Sequence, residues 1–279
     1  MGFDFKAFSR AGAAALLLAV LSPFAASFGA ETALAQLKYG RRIACAGEYR
    51  GHLQGLATDG SHIYWVFTRN IVKTDLSGRV LAKRAMPHHC GDPCWHRGKL
   101  YVPVCGGGFN RKLKPGAEPK NFIHVFDAEL RPVKQYPVPE LEYGAGGMTA
   151  HKGRFFVVGG RPKNLPGNTV YEYDENFKLL RRHELEFDSL KGIQTINHAF
   201  GRWYFGCYGT GSLTIETDEE FRVLRKVRPG AAVGMIPLER GLVLVGQIVR
   251  GKVHNRNRGA AQVVRFTVPV SKAPAPPAR

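Results

Sequence analysis

Beyond residue 35 the sequence has no apolar run near the twenty or so residues a membrane helix needs, so no helical span is expected there. Carboxylates are scarce, with 22 Asp and Glu against 40 Lys and Arg, and the formal net charge is +18. A chain so short of negative charge is suited to polyanionic partners and poorly suited to cationic ones. C-x-x-C-H is absent, which excludes covalent attachment of a c-type haem. Cysteines number only five (Cys45, Cys90, Cys94, Cys105, Cys207), and an odd count excludes complete internal pairing.

The N-terminus holds the one apolar stretch, residues 11–21, behind Lys6 and Arg10 and ahead of Ser22-Pro23. Ala33-Leu34-Ala35 follows, a small-x-small cleavage site. Together these read as a secretory signal peptide over residues 1–35. Export to a periplasmic or extracellular space is therefore expected, with a single domain over 36–270 and a Pro/Ala-rich tail over 271–279. Nucleic acid is not an expected partner there. An anionic small molecule or acidic polysaccharide is, with room for contact with an envelope surface, and a monomer needing no cofactor is expected.

Internal repeats decide the fold. An Asp-containing turn recurs as TDLSGRVL at 74–81, FDAELRPV at 126–133, YDENFKLL at 173–180 and TDEEFRVL at 217–224. Each Asp lies between two β-prone runs, where its carboxylate can accept from a backbone N–H two residues on and hold a tight turn. A second motif precedes each copy. Its first residue is Gly55, Asp92, Gly147, Gln194 or Gly234, and nine residues later comes Tyr64, Tyr101, Phe156, Trp203 or Val243. A glycine-containing turn between two β-prone runs is a hairpin. Two hairpins per unit give four strands, a to d, in roughly 45 residues.

These repeats resemble the β-propeller superfamily over nearly all of residues 36–270. There is no Trp-Asp dipeptide of WD40 repeats, no sialidase Ser-x-Asp-x-Gly-x-Thr-Trp box and no recurring kelch diglycine, so no family within it is named. The expected fold is an all-β five-bladed propeller of four-stranded antiparallel blades. The fifth unit lacks its own strand d, and residues 37–44 are expected to supply it, closing the ring and removing exposed sheet edges. A propeller by itself implies no function.

Meander geometry puts the d–a and b–c loops on one face and the a–b and c–d turns on the other. The b–c loops, at 68–70, 105–121, 160–168, 208–213 and 249–259, carry more than half of the net charge. Arg69, Arg111, Lys112, Arg161, Lys163, Arg250 and Arg256 are the candidate anion-binding residues, joined from the d–a loops by Gln54, Lys191 and Gln194. His52 and His89 hold equivalent places three residues before the second motif. With Asp92 they are candidate acid–base groups at the channel mouth. The competing reading of each histidine is a hydrogen bond to loop carbonyls.

Residues 88–96, HHCGDPCWH, form the densest ligand run. His89, Cys90 and Cys94 are a candidate metal set. A two-residue turn at Arg97-Gly98 would set Cys90 opposite Cys105, and that cross-strand pair is the favoured disulfide. His96, His151 and His198 share one repeat position beside the a–b turn, where polar turn residues explain them. The leading function is capture of an anionic ligand, an acidic glycan or envelope component, on the basic loop face. Second comes a carbohydrate-active enzyme using His52 or His89. A lyase fits better than a retaining hydrolase, which needs two carboxylates about 5 Å apart where only Asp92, Glu118, Glu140 and Glu142 are at hand. Metal or redox handling at Cys90 and Cys94 is third.

Overall fold

The computed structural model describes residues 32–111, 116–117, 120–208 and 213–268. Most of the expected leader, the tail and Lys112 lie outside these residues. Five antiparallel sheets form a five-bladed β-propeller. Blade one runs Leu53–Thr58, Ile63–Phe67, Asn70–Thr74 and Val80–Ala85 from the axis outward. Blade two has a split innermost strand, His89–Cys90 and Cys94–His96, then Lys99–Cys105, Asn121–Phe126 and Pro132–Pro137. Blade three is Ala145–His151, Arg154–Gly159, Asn168–Tyr173 and Leu179–Leu185. Blade four is Ile193–Ala199, Arg202–Cys207, Thr214–Thr217 and Val223–Val227.

Blade five joins distant parts of the chain. Met235–Pro237, Leu242–Arg250 and Arg256–Arg265 are followed outward by Arg42–Ala44, with Arg42 opposite Gln262. The N-terminal strand is shorter than the eight residues expected, because residues 33–36 and 39–40 form turns and the pairing starts with the Gly40 N–H on the Val263 carbonyl. Innermost strands touch in the order blade one, two, three, four, five and one again.

Burial follows position in the blade. The second strand of blade one, Ile63–Phe67, is buried at every residue, because both its faces meet neighbouring sheets. The fourth, Val80–Ala85, is half exposed. Apolar clusters fill the wedges between blades, such as Tyr64, Val66, Leu100 and Val102 between blades one and two.

The repeated Asp acts locally. Asp75, Asp127, Asp174 and Asp218 each accept from the backbone N–H two residues on and again from the one four residues on. The fourth residue of each turn has positive φ: Gly78, Leu130, Phe177 and Phe221. At three of them a buried side chain repays the strain by entering the wedge between blades. Gly78 admits no side chain, since a Cβ would lie 1.9 Å from the Ala44 carbonyl of the incoming N-terminal strand.

Register corrects the cysteine expectation. Cys94–His96 pairs with Lys99–Tyr101 as a two-residue turn requires. Past 91–93 the register slips by one, so His89 faces Cys105 and Cys90 faces Val104. Successive side chains leave opposite faces of a strand, so that slip turns Cys90 away from Cys105. Cys45, Cys90, Cys94 and Cys105 are buried free thiols, and the Cys90–Cys105 disulfide is not formed. Nor do His89, Cys90 and Cys94 form a three-ligand group among the described residues. Burial pushes the Cys90 thiol up to about 12, far from the thiolate that metal binding needs.

Candidate functional site

The loop face is assembled by backbone contacts before any side chain is placed. Thr68 opens the b–c loop of blade one, and its N–H donates to the His52 carbonyl (3.0 Å). The His52 N–H in turn donates to Thr68 Oγ1 at 3.1 Å. Residues 48–51 run along the blade-five hairpin, where Arg50 pairs with Arg256 and Asn257 donates to the Gly51 carbonyl. That hairpin is longer than expected. Val249 and Arg250 still pair with Arg258 and Asn257, so Arg250, Arg256 and Arg258 project from a two-stranded ribbon and not from a loose loop. On the far side, Asn110 links two blades, donating its N–H to the Tyr143 carbonyl and accepting from the Arg161 N–H.

These contacts bring His52, Gln54 and His89 together. Gln54 Nε2 lies 3.4 Å from His52 Nε2, 3.2 Å from His89 Nε2 and 3.2 Å from Thr68 Oγ1. His52 Nδ1 donates to the Leu53 carbonyl at 2.9 Å, which leaves Nε2 as the acceptor. His89 stacks on Phe109 with ring centroids 5.0 Å apart, and its Nδ1 is buried without a hydrogen-bond partner. Burial, then the nearby His52 and Arg69, hold the His89 imidazole down to about 4, so it is uncharged at neutral pH. Thr68 and Phe109 escaped the sequence reading. The Gly-Gly-Gly run before Phe109 is a local sign of a special loop there, whereas the close approach of Gly51 to Thr68 exists only in the fold.

Asp92 does not stand at the mouth. It is 1% exposed and built into the wall of the axis. Its Oδ1 accepts from the Leu56 N–H at 3.1 Å, its own N–H donates to the Gly146 carbonyl at 2.8 Å, and its carbonyl accepts from Met148. Three blades meet on this residue. Gly55 makes room for it, since a Cβ there would fall 2.1 Å from Oδ1. Burial drives its carboxyl well above the usual range, and its three hydrogen bonds make it a staple between blades. Gln194 also has a structural task, donating to the Lys191 and Gly192 carbonyls and pinning the loop that carries Lys191.

Cations crown this cluster. Arg69, Arg111, Lys163, Lys191, Arg250 and Arg256 are exposed, and among the described residues none of them is in an ion pair. Arg161 is instead tied to its own loop through the Leu165 and Pro166 carbonyls. Three carboxylates on the same side are engaged elsewhere, while Glu142 and Glu186 stay exposed. Glu48 accepts from the Lys252 and Val253 N–H groups, Asp188 from the Gly167 N–H and Glu140 from the Tyr173 hydroxyl. What remains is a net positive rim around a polar cluster of two imidazoles and an amide.

In fold the chain is similar to the glutaminyl cyclase of Myxococcus xanthus, with a TM-score of 0.50 and 14% identity over 81% of this chain and 100% of that one. It is similar to the GH43_1 enzyme of Xanthomonas citri complexed with xylose, at 0.52 and 12% over 77% and 89%. The Bacteroides ovatus xyloglucan-locus GH43B protein scores 0.54 at 11% identity over 80% of this chain and 54% of that one. At such identities the likeness shows the fold alone. No family model and no curated protein matches the sequence.

Proposed function

We propose that this propeller is an exported glycan-binding protein that captures an acidic polysaccharide on its loop face. The observation that carries the reading is that six exposed cations on the loops of the face that holds the His52–Gln54–His89 cluster have no ion pair among the described residues. Unpaired cations meet sugar carboxylates without first breaking a protein ion pair, and they raise the local concentration of a polyanion. Imidazole and amide groups, with Phe109 beside them, suit the hydroxyls and apolar faces of a sugar ring. A neighbouring fold crystallised with xylose is a precedent for a sugar ligand, at the level of fold analogy only.

Binding is favoured over catalysis. An imidazole held near 4 has no proton to donate at neutral pH and is a weak base. Asp92 is 1% exposed and its Oδ1 is taken by the Leu56 N–H, so it is out of reach of a sugar and cannot serve as one of the two carboxylates a retaining hydrolase requires. Lyase chemistry through His52 is the second reading, and product analysis separates it from binding.

Calorimetric titration of the full chain with polygalacturonate and with uncharged pullulan tests the proposal. Affinity for polygalacturonate alone, weakening steeply with added salt, is expected. Equal binding of both polymers would overturn the anionic reading. Unsaturated uronate accumulating during the titration would replace binding with a lyase. N-terminal sequencing of the protein from an extracytoplasmic fraction tests export, with a start near residue 36 expected.

A further inference from the structure

We propose that His151, His198 and Glu219 form a three-ligand site for a divalent transition-metal ion of the zinc class, at the junction of blades three and four on the turn face. Their ligand atoms all lie within 4.8 Å of one another. His198 Nε2 is 2.8 Å from Glu219 Oε1, His151 Nε2 is 3.9 Å from Glu219 Oε2, and the two imidazole rings are 3.6 Å apart. Ligands around tetrahedral zinc sit about 3.3 Å apart at its usual bond lengths. Binding must therefore open the His198–Glu219 separation and close the His151–Glu219 one by about half an ångström, and part the two ring centres by roughly an ångström or more, which takes side-chain rotation of both histidines.

Two further observations point to an ion. His151 Nε2 is buried with no hydrogen-bond partner, a cost that a coordinated metal would remove. Trp203 packs edge-on against both rings, at 5.4 and 4.8 Å, and gives the set an apolar wall that restrains the imidazoles. Two imidazoles and one carboxylate suit zinc, cobalt or nickel better than calcium or magnesium, which take all-oxygen shells. Lys152, 3.9 Å from Glu219, works against binding but is largely exposed and free to swing away.

Register explains why, among the described residues, this junction carries the set. His96 and His151 pair with the first residue after a two-residue turn, Lys99 and Arg154. His198 pairs with Trp203, one residue farther from its turn, and so leaves the opposite face of its sheet. His151 therefore looks forward to blade four while His198 looks back to blade three. At the preceding junction His96 and Glu175 repeat two members, but Ala150 stands at the position of His198. The third ligand is missing there.

Three protein ligands leave at least one position for water or an oxygen ligand. His151 and Glu219 line a groove of about 340 Å³, and His198 also lines an axial cavity of about 210 Å³ open to all five innermost strands.

The test uses the metal-free full chain titrated with Zn²⁺ against a competing chelator, with Co²⁺ visible absorption reporting geometry. One equivalent per chain and four-coordinate Co²⁺ bands are expected. His151→Gln and Glu219→Gln should each weaken Zn²⁺ at least tenfold, whereas His183→Gln, in the neighbouring His183–Glu172 pair, should leave it unchanged. Thermal melts guard against misfolding: Zn²⁺ should raise the midpoint of the parent and of His183→Gln but not of the other two. Absence of binding by the parent overturns the proposal, as does affinity retained in both cluster variants or lost equally in His183→Gln.

Discussion

The two faces of this propeller spend their charges differently. On the turn face arginines are consumed locally: Arg79, Arg131 and Arg222 each reach back four residues to the carboxylate of their own turn, at 3.0, 2.8 and 2.6 Å. Glu172 and Glu216, both nearly buried, take Arg154 and Arg225. On the loop face Arg69, Arg111, Lys163, Lys191, Arg250 and Arg256 have no such partners among the described residues, and Glu48 and Asp188 accept from backbone N–H groups. A paired cation has its field cancelled at close range, whereas an unpaired one projects it outward. Positive charge spread over the whole sequence thus becomes a one-sided property of the fold.

Charge reversal gives the largest expected effect. Replacing Arg69, Arg111, Lys191, Arg250 and Arg256 with Glu should weaken polygalacturonate by about a hundredfold or more, since each cation is roughly 1 kcal/mol of attraction. Reversing Arg79, Arg131 and Arg222 should leave affinity unchanged. Equal losses in calorimetry would erase the distinction between the faces.

Stability should divide the other way. Arg225 holds the Glu216 carboxylate through two bonds of 2.9 and 3.1 Å, and that carboxylate is 4% exposed. Arg225→Met is expected to cost about 2 kcal/mol in denaturant unfolding, because a buried charge loses its partner. Arg256→Met should stay within about 0.5 kcal/mol of the parent.

Acid should act on the loop face through His89. Its folded pKa, about 4, lies below the ordinary 6.5, so the unfolded chain takes up the proton first. The associated stability is present above pH 6.5 and is lost as pH falls toward 4. Unfolding curves of His89→Gln should therefore lose roughly 2 to 3 kcal/mol less than the parent across that window. Identical acid limbs would show that the imidazole is not desolvated.

The smallest effect is expected on the axis between the faces. Asp92 is raised in the folded state, so its contribution is full at low pH and fades as pH rises above the ordinary carboxyl value. Asp92→Asn keeps the acceptor for Leu56 and does not ionise. Its stability relative to the parent should rise from pH 4 to pH 8, and a flat difference would count against a raised Asp92 carboxyl.

Much of the fold was legible because its signals are local and repeated. Asp75, Asp127, Asp174 and Asp218 bond within four residues of themselves, so a short motif suffices to locate each turn. The meeting of His52 with His89 was also legible, since equivalent places in adjacent blades lie side by side. Gln54 as their bridge was only half visible: its nearness could be read, the three polar contacts of its Nε2 could not. The burial of Asp92 is not legible in the sequence, because nothing in its neighbours announces that Gly55 leaves a slot for it. The cysteine pairing failed for a similar reason, a one-residue slip across Gly91-Asp92-Pro93 that no spacing rule contains.

From its own order of residues the chain determined the repeat, the blade number and the side of the ring on which its cations gather, because hairpins and Asp turns close over a few bonds. Tertiary structure alone decided which cations stay unpaired, which carboxyl is sealed in the axis, and that His198 turns back toward His151. Each of those depends on register and on contacts between blades, where a shift of one residue sends a side chain to the other face of its sheet.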